Sequence, residues 1–237
     1  MRLAAAMTML AVAACDGSDG AQPHTPITSP APANETATQS PAPRERGKGF
    51  DFYVLSLSWS PSYCEAEGEG ANRQQCSSGR PYAFVVHGLW PQFERGYPED
   101  CATGEADVPR EVISRTLPIM PSTGLIKYQW RKHGSCAGLS QEDYFDVLRA
   151  ARTRVAIPAE FDRLKTYLTV APDVVEKAFV TANSGMKPDG IAVSCDRRFL
   201  REVRICMSKG LEFRSCPEVD RRDCQLSRAV MPPVRGG

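Results

Sequence analysis

The amino-acid sequence predicts an α+β domain, and three observations lead to this fold class. Apolar residues alternate at period two near both ends of the folded part, first in Phe50–Trp59 and again between Ile191 and Cys216. Between these stretches, apolar residues recur with helical spacing. Strands and helices that are segregated along a chain are typical of α+β folds. Eight cysteines spread over the same region indicate disulfide bonds that staple it.

The N-terminal residues 1–15 are typical of an export signal. Arg2 precedes a short apolar run that is too short to span a bilayer as a mature helix. The run ends in Val-Ala-Ala-Cys, which is similar to a bacterial lipobox and predicts a lipid on Cys15. Ordinary cleavage after an Ala-x-Ala-like site is the alternative. A lipid at this cysteine would be the protein's single attachment to a membrane.

Composition separates the domain from its flanks. Residues 16–48 are rich in Pro, Thr and Ser and lack an apolar period, which predicts a flexible linker without chemistry. We expect the folded domain to occupy residues 49–226. Residues 227–237 are predicted to form a loose tail.

Periodicity and turn residues predict five strands and four helices in the domain. The predicted strands are Phe50–Trp59, Ala83–His87, Ile191–Cys195, Glu202–Cys206 and Leu211–Cys216. Three predicted helices are Val108–Leu117, Gln141–Val155 and Asp173–Ala182. The fourth lies between the first two and ends near Gly134. Ser140 and Asp143 have the spacing of a capping box at the start of the third helix.

Charge and cysteine usage exclude several classes of protein. The net charge of +1 argues against tight non-specific binding to polyanions or membranes. Nine cysteines without a single CxxC pair fit neither a reduced compartment nor a zinc ribbon. His87 and His133 lack carboxylates at metal-ligand spacing, so a metal site built on them is a poor hypothesis. We therefore expect no metal and no cofactor.

The stretch from Leu125 to Gly138 concentrates reactive side chains. At about 100° per residue, Tyr128, Gln129, Lys132 and His133 fall within one arc of about 140°. A basic helix end is the simpler interpretation, because Lys and His near a helix C-terminus suit the helix dipole. The residues outside this stretch decide between the two.

His87 supplies the second imidazole, because it ends a predicted strand and precedes Gly-Leu-Trp-Pro. Two histidines suit a reaction that needs a general base and a general acid near neutral pH. A lysine beside them suits phosphoryl transfer to an internal hydroxyl. RNA has that hydroxyl at its 2′ position and DNA does not, so the expected partner is RNA and not DNA.

Two segments resemble the active-site motifs of the ribonuclease T2 family: HGLWPQ at residues 87–92 and WRKHGSC at residues 130–136. The segments FDFYVLSLSWSPSYC, GYPEDC and EVRICMSKG also fit the family, in the same order along the chain. The resemblance spans roughly Gly49 to Cys224. It implies an antiparallel sheet with helices on one side, and metal-independent endonucleolytic cleavage of RNA through a 2′,3′-cyclic phosphate.

The resemblance also implies roles for individual residues. His133 matches the general base, His87 the general acid, and Lys132 the cation that stabilises the phosphorane. Trp90 and Trp59 compete as base-stacking residues, although indoles mostly fill cores. Pro91 is assigned to substrate binding with Trp90. The expected enzyme is a monomer.

Two positions depart from the family pattern. Tyr128 stands where the family has a phosphate-binding histidine, and Gln129 stands where it has a glutamate. Gln129 is retained as a catalytic candidate and Tyr128 as a substrate contact. An amide keeps only hydrogen bonding, so we expect a lower pKa for His133 than a carboxylate neighbour would produce. An RNA-binding protein with weak or no catalysis is therefore the alternative function.

The cysteines fit the family as four disulfides, although eight cysteines allow 105 connectivities. The pairs implied are Cys64–Cys76, Cys101–Cys136, and Cys206–Cys216 nested inside Cys195–Cys224. With the export signal, this framework predicts a protein of the periplasm or cell envelope, anchored through Cys15 or secreted.

Overall fold

The computed structural model describes residues 46–235 of the chain. The strands are β1 (Phe52–Trp59), β2 (Phe84–Gln92), β3 (Leu168–Val170), β4 (Ile191–Cys195), β5 (Leu200–Met207) and β6 (Ala229–Met231). The helices are α1 (Ser60–Glu67), α2 (Arg73–Cys76), α3 (Arg110–Thr116), α4 (Thr123–Lys132), α5 (Gln141–Arg154), α6 (Ala159–Asp162), α7 (Pro172–Ala182) and α8 (Pro217–Asp220). Within residues 46–235, none of these helices has the length and apolar character needed to cross a membrane.

A four-stranded antiparallel sheet in the order β2-β1-β5-β4 forms the centre of the fold. Side chains alternate along a strand, so β1 turns every second residue toward the same face. On one face these residues are fully buried and pack against helices α3, α4, α5 and α7. This core includes Tyr53, Leu55, Leu57, Trp59, Val112, Ile126, Tyr144, Leu148, Val175 and Phe179. The predicted antiparallel sheet with helices on one side is confirmed.

The opposite face of the sheet carries a smaller apolar cluster and a polar row. Phe52 and Val54 pack there against the Cys206–Cys216 disulfide. Farther along β1, Ser56 pairs with Arg204 of β5 and Ser58 pairs with Glu202. The alternation places these polar residues on the same face as Val54, away from the helical core.

Strand β2 is longer than predicted and contains an irregularity at His87. The strand does not end at this histidine but continues to Gln92. Leu57 pairs with Val86 and Ser56 pairs with Gly88, so His87 is an extra residue without a partner on β1. Such a β-bulge re-aims a side chain. The prediction that β2 ends at His87 is therefore wrong, and the bulge is what directs the imidazole.

The helices lie within a few residues of their predicted bounds. Helix α5 begins after Ser140, whose hydroxyl oxygen accepts from the backbone N–H of Asp143 at 3.2 Å and donates to the Asp143 carboxylate at 2.7 Å. Ser140 is thus the N-cap, as predicted, while the Asp143 side chain bonds to its hydroxyl and not to its backbone N–H as in a full capping box. Helix α4 ends at Lys132, and a short 3₁₀ turn over Gly134–Ala137 follows it.

The C-terminal part differs from the prediction in two ways. Residues 211–216 do not form a strand, because their pairing with β5 is limited to an isolated bridge between Met207 and Phe213. The last residues are not a loose tail, since β6 pairs with β3 and Ala229 and Met231 are fully buried. The carbonyl of Pro232 also accepts the indole N–H of Trp59 at 3.0 Å.

Four disulfides staple the domain. They join Cys64 to Cys76, Cys101 to Cys136, Cys195 to Cys224 and Cys206 to Cys216, the pairs that the family resemblance implies. Each bridge of this kind stabilises a fold by about 2–4 kcal/mol. The bridge between Cys101 and Cys136 ties the loop after β2 to the end of α4.

Candidate active site

His87 projects from the bulge of β2 onto the polar face of the sheet. Its Nδ1 makes a short hydrogen bond with the Glu202 carboxylate of β5, and about a third of the imidazole is exposed. Because Glu202 accepts the Nδ1 hydrogen, Nε2 is the nitrogen left to face solvent or a substrate. The carboxylate thus sets both the tautomer and the orientation of the ring.

Glu202 is itself nearly buried, with 8% of its surface exposed. Burial raises the pKa of this carboxyl, but the hydrogen bonds and positive charges of His87 and Arg204 outweigh that effect and lower the pKa to about 2. Arg204 donates to it from Nε at 3.0 Å and from Nη2 at 2.8 Å. Glu202 is therefore a buried anion near neutral pH, held by hydrogen bonds from His87 and Arg204.

His133 is the C-terminal cap of α4, and only 8% of its surface is exposed. Its pKa is lowered to about 4, first by burial and then by the charges of Lys132 and His87, against the opposing effect of Glu99 and Asp100. Its Nδ1 is buried without a hydrogen-bond partner among residues 46–235. The imidazole is consequently neutral near pH 7.

Packing of α4 against the core fixes the place of His133. Ser122 caps the start of the helix by accepting from the N–H of Leu125 at 3.2 Å. Ile126 and Trp130 are buried on the inner side, and the Trp130 indole donates to the Glu105 carbonyl at 2.6 Å. These contacts fix the orientation of α4 on the sheet, and in this orientation its last residues lie beside β2.

Trp90 lies between the two histidines. Its ring centre is 5.5 Å from that of His87 and 5.4 Å from that of His133. Its indole N–H donates to Gln129 Oε1 at 2.8 Å, and this amide is almost fully buried. Gln129 therefore holds the Trp90 indole in place. The sequence predicted Gln129 as a catalytic candidate and did not indicate this contact.

Gly88 is required beside this contact. A Cβ atom at this position would lie 2.2 Å from Gln129 Oε1 and 2.3 Å from Trp90 Nε1. Real Cβ atoms do not approach so closely, so a larger residue would displace the amide or the indole. The glycine after His87 thus permits the approach of α4 to β2.

Lys132 is half-exposed and forms an ion pair with Glu99 at 3.0 Å. The hydrogen bond and charge of Glu99 raise the pKa of this lysine, and Tyr128 contributes in the same direction. The N–H of Asp100 also donates to the Lys132 carbonyl at 2.8 Å. The loop at Cys101 therefore positions the lysine through a carboxylate, a backbone bond and a disulfide.

Two grooves open at the site, one beside each histidine. The groove beside His133 has a volume of about 250 Å³ and is lined by Val54, Trp90, Gln92, Tyr97, Lys132, His133, Arg204, Val219 and Arg222. The groove beside His87 has a volume of about 220 Å³, and its lining includes Ser58, Tyr63, Asn72, Gln75, Ser122, Leu125, Arg201 and Glu202. Together they can accept a chain on both sides of a bond placed between the imidazoles.

The structure separates the remaining candidates. Trp90 lines the first groove, but Trp59 is fully buried in the helical core and cannot stack on a base. Pro91 is buried opposite Tyr53, on the helix side of the sheet, so it supports β2 instead of contacting a substrate. Tyr128 is 45% exposed and neighbours Lys132.

Three charged residues of the site were missed from the sequence: Glu202, Arg204 and Glu99. Glu202 and Arg204 lie in the segment EVRICMSKG, and their period-two spacing places them on one face of a strand. That spacing was a usable signal. Nothing local marks Glu99, because its partner Lys132 lies on a separate element.

The profile of the Ribonuclease T2 family matches residues 50–216. The chain belongs to the ribonuclease T2 family. A ribonuclease of Aeromonas hydrophila is 34% identical over 164 residues, which cover 62% of this chain and 68% of that protein.

Solved structures of the family share this fold. An RNase-related protein from Calystegia sepium superposes with a TM-score of 0.61 at 22% identity, covering 78% of this chain and 98% of the other. RNase NT in complex with 5′-AMP superposes with a TM-score of 0.59 at 24% identity, covering 78% of this chain and all of the other. Family membership makes the protein an endoribonuclease with RNA as its substrate.

Proposed function

We propose that this ribonuclease cleaves single-stranded RNA without a metal, by transphosphorylation. The 2′-oxygen attacks the adjacent phosphorus, the bond from phosphorus to the 5′-oxygen breaks, and a 2′,3′-cyclic phosphate forms. The observation that carries the proposal is the placement of two differently held imidazoles against the same indole, that of Trp90. One is buried and neutral, and the other is bound to an ionised carboxylate.

His133 acts as the general base. An imidazole whose pKa lies near 4 is unprotonated at neutral pH and can accept the 2′-hydroxyl proton. His133 lines the groove beside Trp90, so a nucleotide in that groove would bring its 2′-hydroxyl to the ring. The proton gained makes the imidazole cationic as negative charge builds on the phosphate.

His87 acts as the general acid and protonates the departing 5′-oxygen from Nε2. Glu202 accepts the Nδ1 hydrogen throughout, so the ring keeps its orientation. Because Nδ1 is held by the carboxylate, Nε2 is the nitrogen directed at the leaving oxygen. The groove beside His87 is the place for the leaving nucleoside.

Lys132 stabilises the pentacoordinate phosphorane, whose non-bridging oxygens carry more charge than those of the phosphodiester. An ammonium group in a partly desolvated cleft favours that added charge. Glu99 keeps the lysine charged and directed. Because the nucleophile is the 2′-oxygen, DNA is not a substrate.

The experiment that tests the proposal is cleavage of a defined oligoribonucleotide in excess chelator, with the new ends identified by phosphorus NMR. A 2′,3′-cyclic phosphate is expected. His87→Ala and His133→Ala should each lower kcat/KM by about 10²–10⁴-fold. His24→Ala is the matched control, because this third histidine lies in the predicted linker, outside the described residues. Loss of cleavage in chelator, or products with 5′-phosphates, would contradict the mechanism.

The cellular location is a second part of the proposal. Four disulfides fit an oxidising compartment outside the cytosol. We infer that the protein is exported to the periplasm or cell envelope and carries a lipid on Cys15, which lies outside the described residues. We also infer that the enzyme is a monomer. Cys15→Ser should release the protein from the membrane fraction, and light scattering should give the monomer mass.

A further inference from the structure

Arg204 places a positive charge in the cleft that the mechanism above does not use. It extends from the middle of β5, and its side chain is 31% exposed. The guanidinium carbon lies 5.5 Å from the centre of the Trp90 ring. Arg204 also lines the same groove as Lys132 and His133.

One edge of the Arg204 guanidinium is occupied and the other is available. Nε and Nη2 both donate to Oε2 of Glu202, at 3.0 and 2.8 Å. Nη1 donates to no group of residues 46–235. A guanidinium carries five N–H donors in a planar fork, so the Nη1 end keeps its capacity for oxygen acceptors. Glu202 and Trp90 fix the group before any ligand arrives.

The surroundings leave room for a phosphate beside Arg204. Across the sheet Arg204 pairs with the small residue Ser56, and Arg204 lines the groove of about 250 Å³ together with Lys132 and His133. Glu202 joins Arg204 to His87, and Trp90 contacts both imidazoles. The guanidinium is thus linked to His87 through Glu202 and to His133 through Trp90.

We propose that Arg204 binds a non-bridging oxygen of the phosphate at which the RNA is cleaved. This inference rests on the proposed function, because the two histidines define where that phosphate lies. Tyr128 offers a phosphate only its phenol, and Lys132 is shared with Glu99. Arginine recognises phosphate oxygens with strong charge-assisted hydrogen bonds, so Arg204 supplies the missing cationic contact.

The test measures binding of a single phosphate without turnover. The ligands are a 2′-deoxy dinucleotide, which has one phosphodiester and no nucleophile, and its uncharged methylphosphonate analogue. Arg204→Gln should weaken calorimetric binding of the phosphodiester by about 10–100-fold. Affinity for the methylphosphonate should stay within about twofold. Arg204→Lys keeps the charge and should give an intermediate affinity for the phosphodiester.

Arg214→Gln is the matched control. Arg214 is 29% exposed, pairs with Glu94 at 2.8 Å and lies 4.4 Å from the centre of the Phe52 ring, but it does not line the groove. It should change neither affinity. The proposal is overturned if Arg204→Gln weakens binding of both ligands equally, or if Arg204→Gln and Arg214→Gln have equal effects. Arg204 would then only hold Glu202 in place.

The outcomes also separate this inference from the proposed function. Selective loss of phosphodiester binding in Arg204→Gln supports the arginine contact, even in a protein that forms no cyclic phosphate. If the wild-type enzyme is active and Arg204→Gln still prefers the phosphodiester to the methylphosphonate to the same degree, the arginine contact is overturned and the proposed function is not. Circular dichroism of each variant shows that the fold persists.

Discussion

The indole N–H of Trp90 donates to the side-chain oxygen of Gln129 at 2.8 Å, and this bond joins β2 to α4. Each of these elements carries one of the two histidines. Gln129 is 1% exposed, so the bond is made in a desolvated environment where an unsatisfied donor costs about 1–3 kcal/mol. The amide therefore acts through the indole that separates the imidazoles.

Gln129→Leu should lower kcat/KM by about 10–100-fold, because the Trp90 indole loses its buried acceptor and can leave its place between the histidines. Steady-state cleavage of a dinucleotide substrate measures the effect. Gln225→Leu, an exposed glutamine near the C-terminus, is the control and should leave kcat/KM unchanged. Wild-type kinetics in Gln129→Leu would show that the bond has no part in placing Trp90.

Gln129→Glu tests the same position by charge. The carboxylate would still accept from Trp90, but its negative charge favours the protonated form of His133 and raises that pKa from about 4. If His133 is the base, the acid limb of the pH profile of kcat/KM moves to higher pH. A higher rate with that shift would make the amide a handicap, and an unchanged profile would show that Lys132 and the two histidines suffice.

Gly88→Ala should destabilise the site by about 1–3 kcal/mol, as overpacking usually does. The added methyl group meets Trp90 Nε1 at 2.3 Å, and the rigid indole cannot yield without leaving Gln129. Urea denaturation and kcat/KM should both report the change. Gly70→Ala is the control, because no atom lies within 4 Å of its Cβ. Normal activity in Gly88→Ala would mean that β2 and α4 can move apart without lowering kcat/KM.

Glu202→Gln should affect stability in a pH-dependent way. The folded-state pKa of Glu202 is lowered to about 2, so its ionised form contributes stability above the unfolded pKa of about 4.5. That contribution is lost as the pH falls from about 4.5 toward 2. Glu202→Gln should thus be less stable than wild type at pH 7, by about 1–3 kcal/mol, with the difference shrinking below pH 4.5.

Cleavage assays complete the test of Glu202. The glutamine can accept from His87 but carries no charge, so kcat should fall while the fold remains. Glu212→Gln is the control, since this exposed carboxylate pairs with Arg154, away from His87. A stability difference that stays constant between pH 7 and pH 3 would refute the ionic role.

Glu176 gives the opposite dependence on pH. Its carboxylate and that of Asp223 accept from the same N–H of Val193, at 2.9 and 3.1 Å. Burial raises the pKa of Glu176 to about 7, and the charges of Asp223 and Asp220 contribute. The folded state holds this proton to higher pH than the unfolded state does, so stability falls as the pH rises from about 4.5 to 7.

Glu176→Gln should remove this decline, because the amide accepts from Val193 without titrating. The variant should gain stability relative to wild type, by about 1–2 kcal/mol, between pH 5 and pH 8. Thermal melts across this range measure it. Glu160→Gln, an exposed carboxylate on α6, should leave the profile unchanged. Parallel curves for wild type and Glu176→Gln would contradict the shared site.

Local patterns in the sequence were sufficient for most elements. The alternation in β1 and the helix start at Ser140 depend on neighbours in the chain, and the structure has them where they were predicted. The predicted strand at 211–216 failed, because alternating side chains that end in a cysteine do not require a partner strand. The tail was misjudged for a similar reason, since its burial depends on contacts with Trp59 and β3.

The sequence by itself determined the family and brought His87, Lys132 and His133 forward, because short segments around each of them carry a recognisable pattern. Only the tertiary structure decided what Gln129 does, and only it joined Glu202 to His87 and Glu99 to Lys132. These pairs are 115 and 33 residues apart. Contacts of that kind arise from the β-bulge, the sheet register and the packing of α4, and none of these is encoded in the residues next to the histidines.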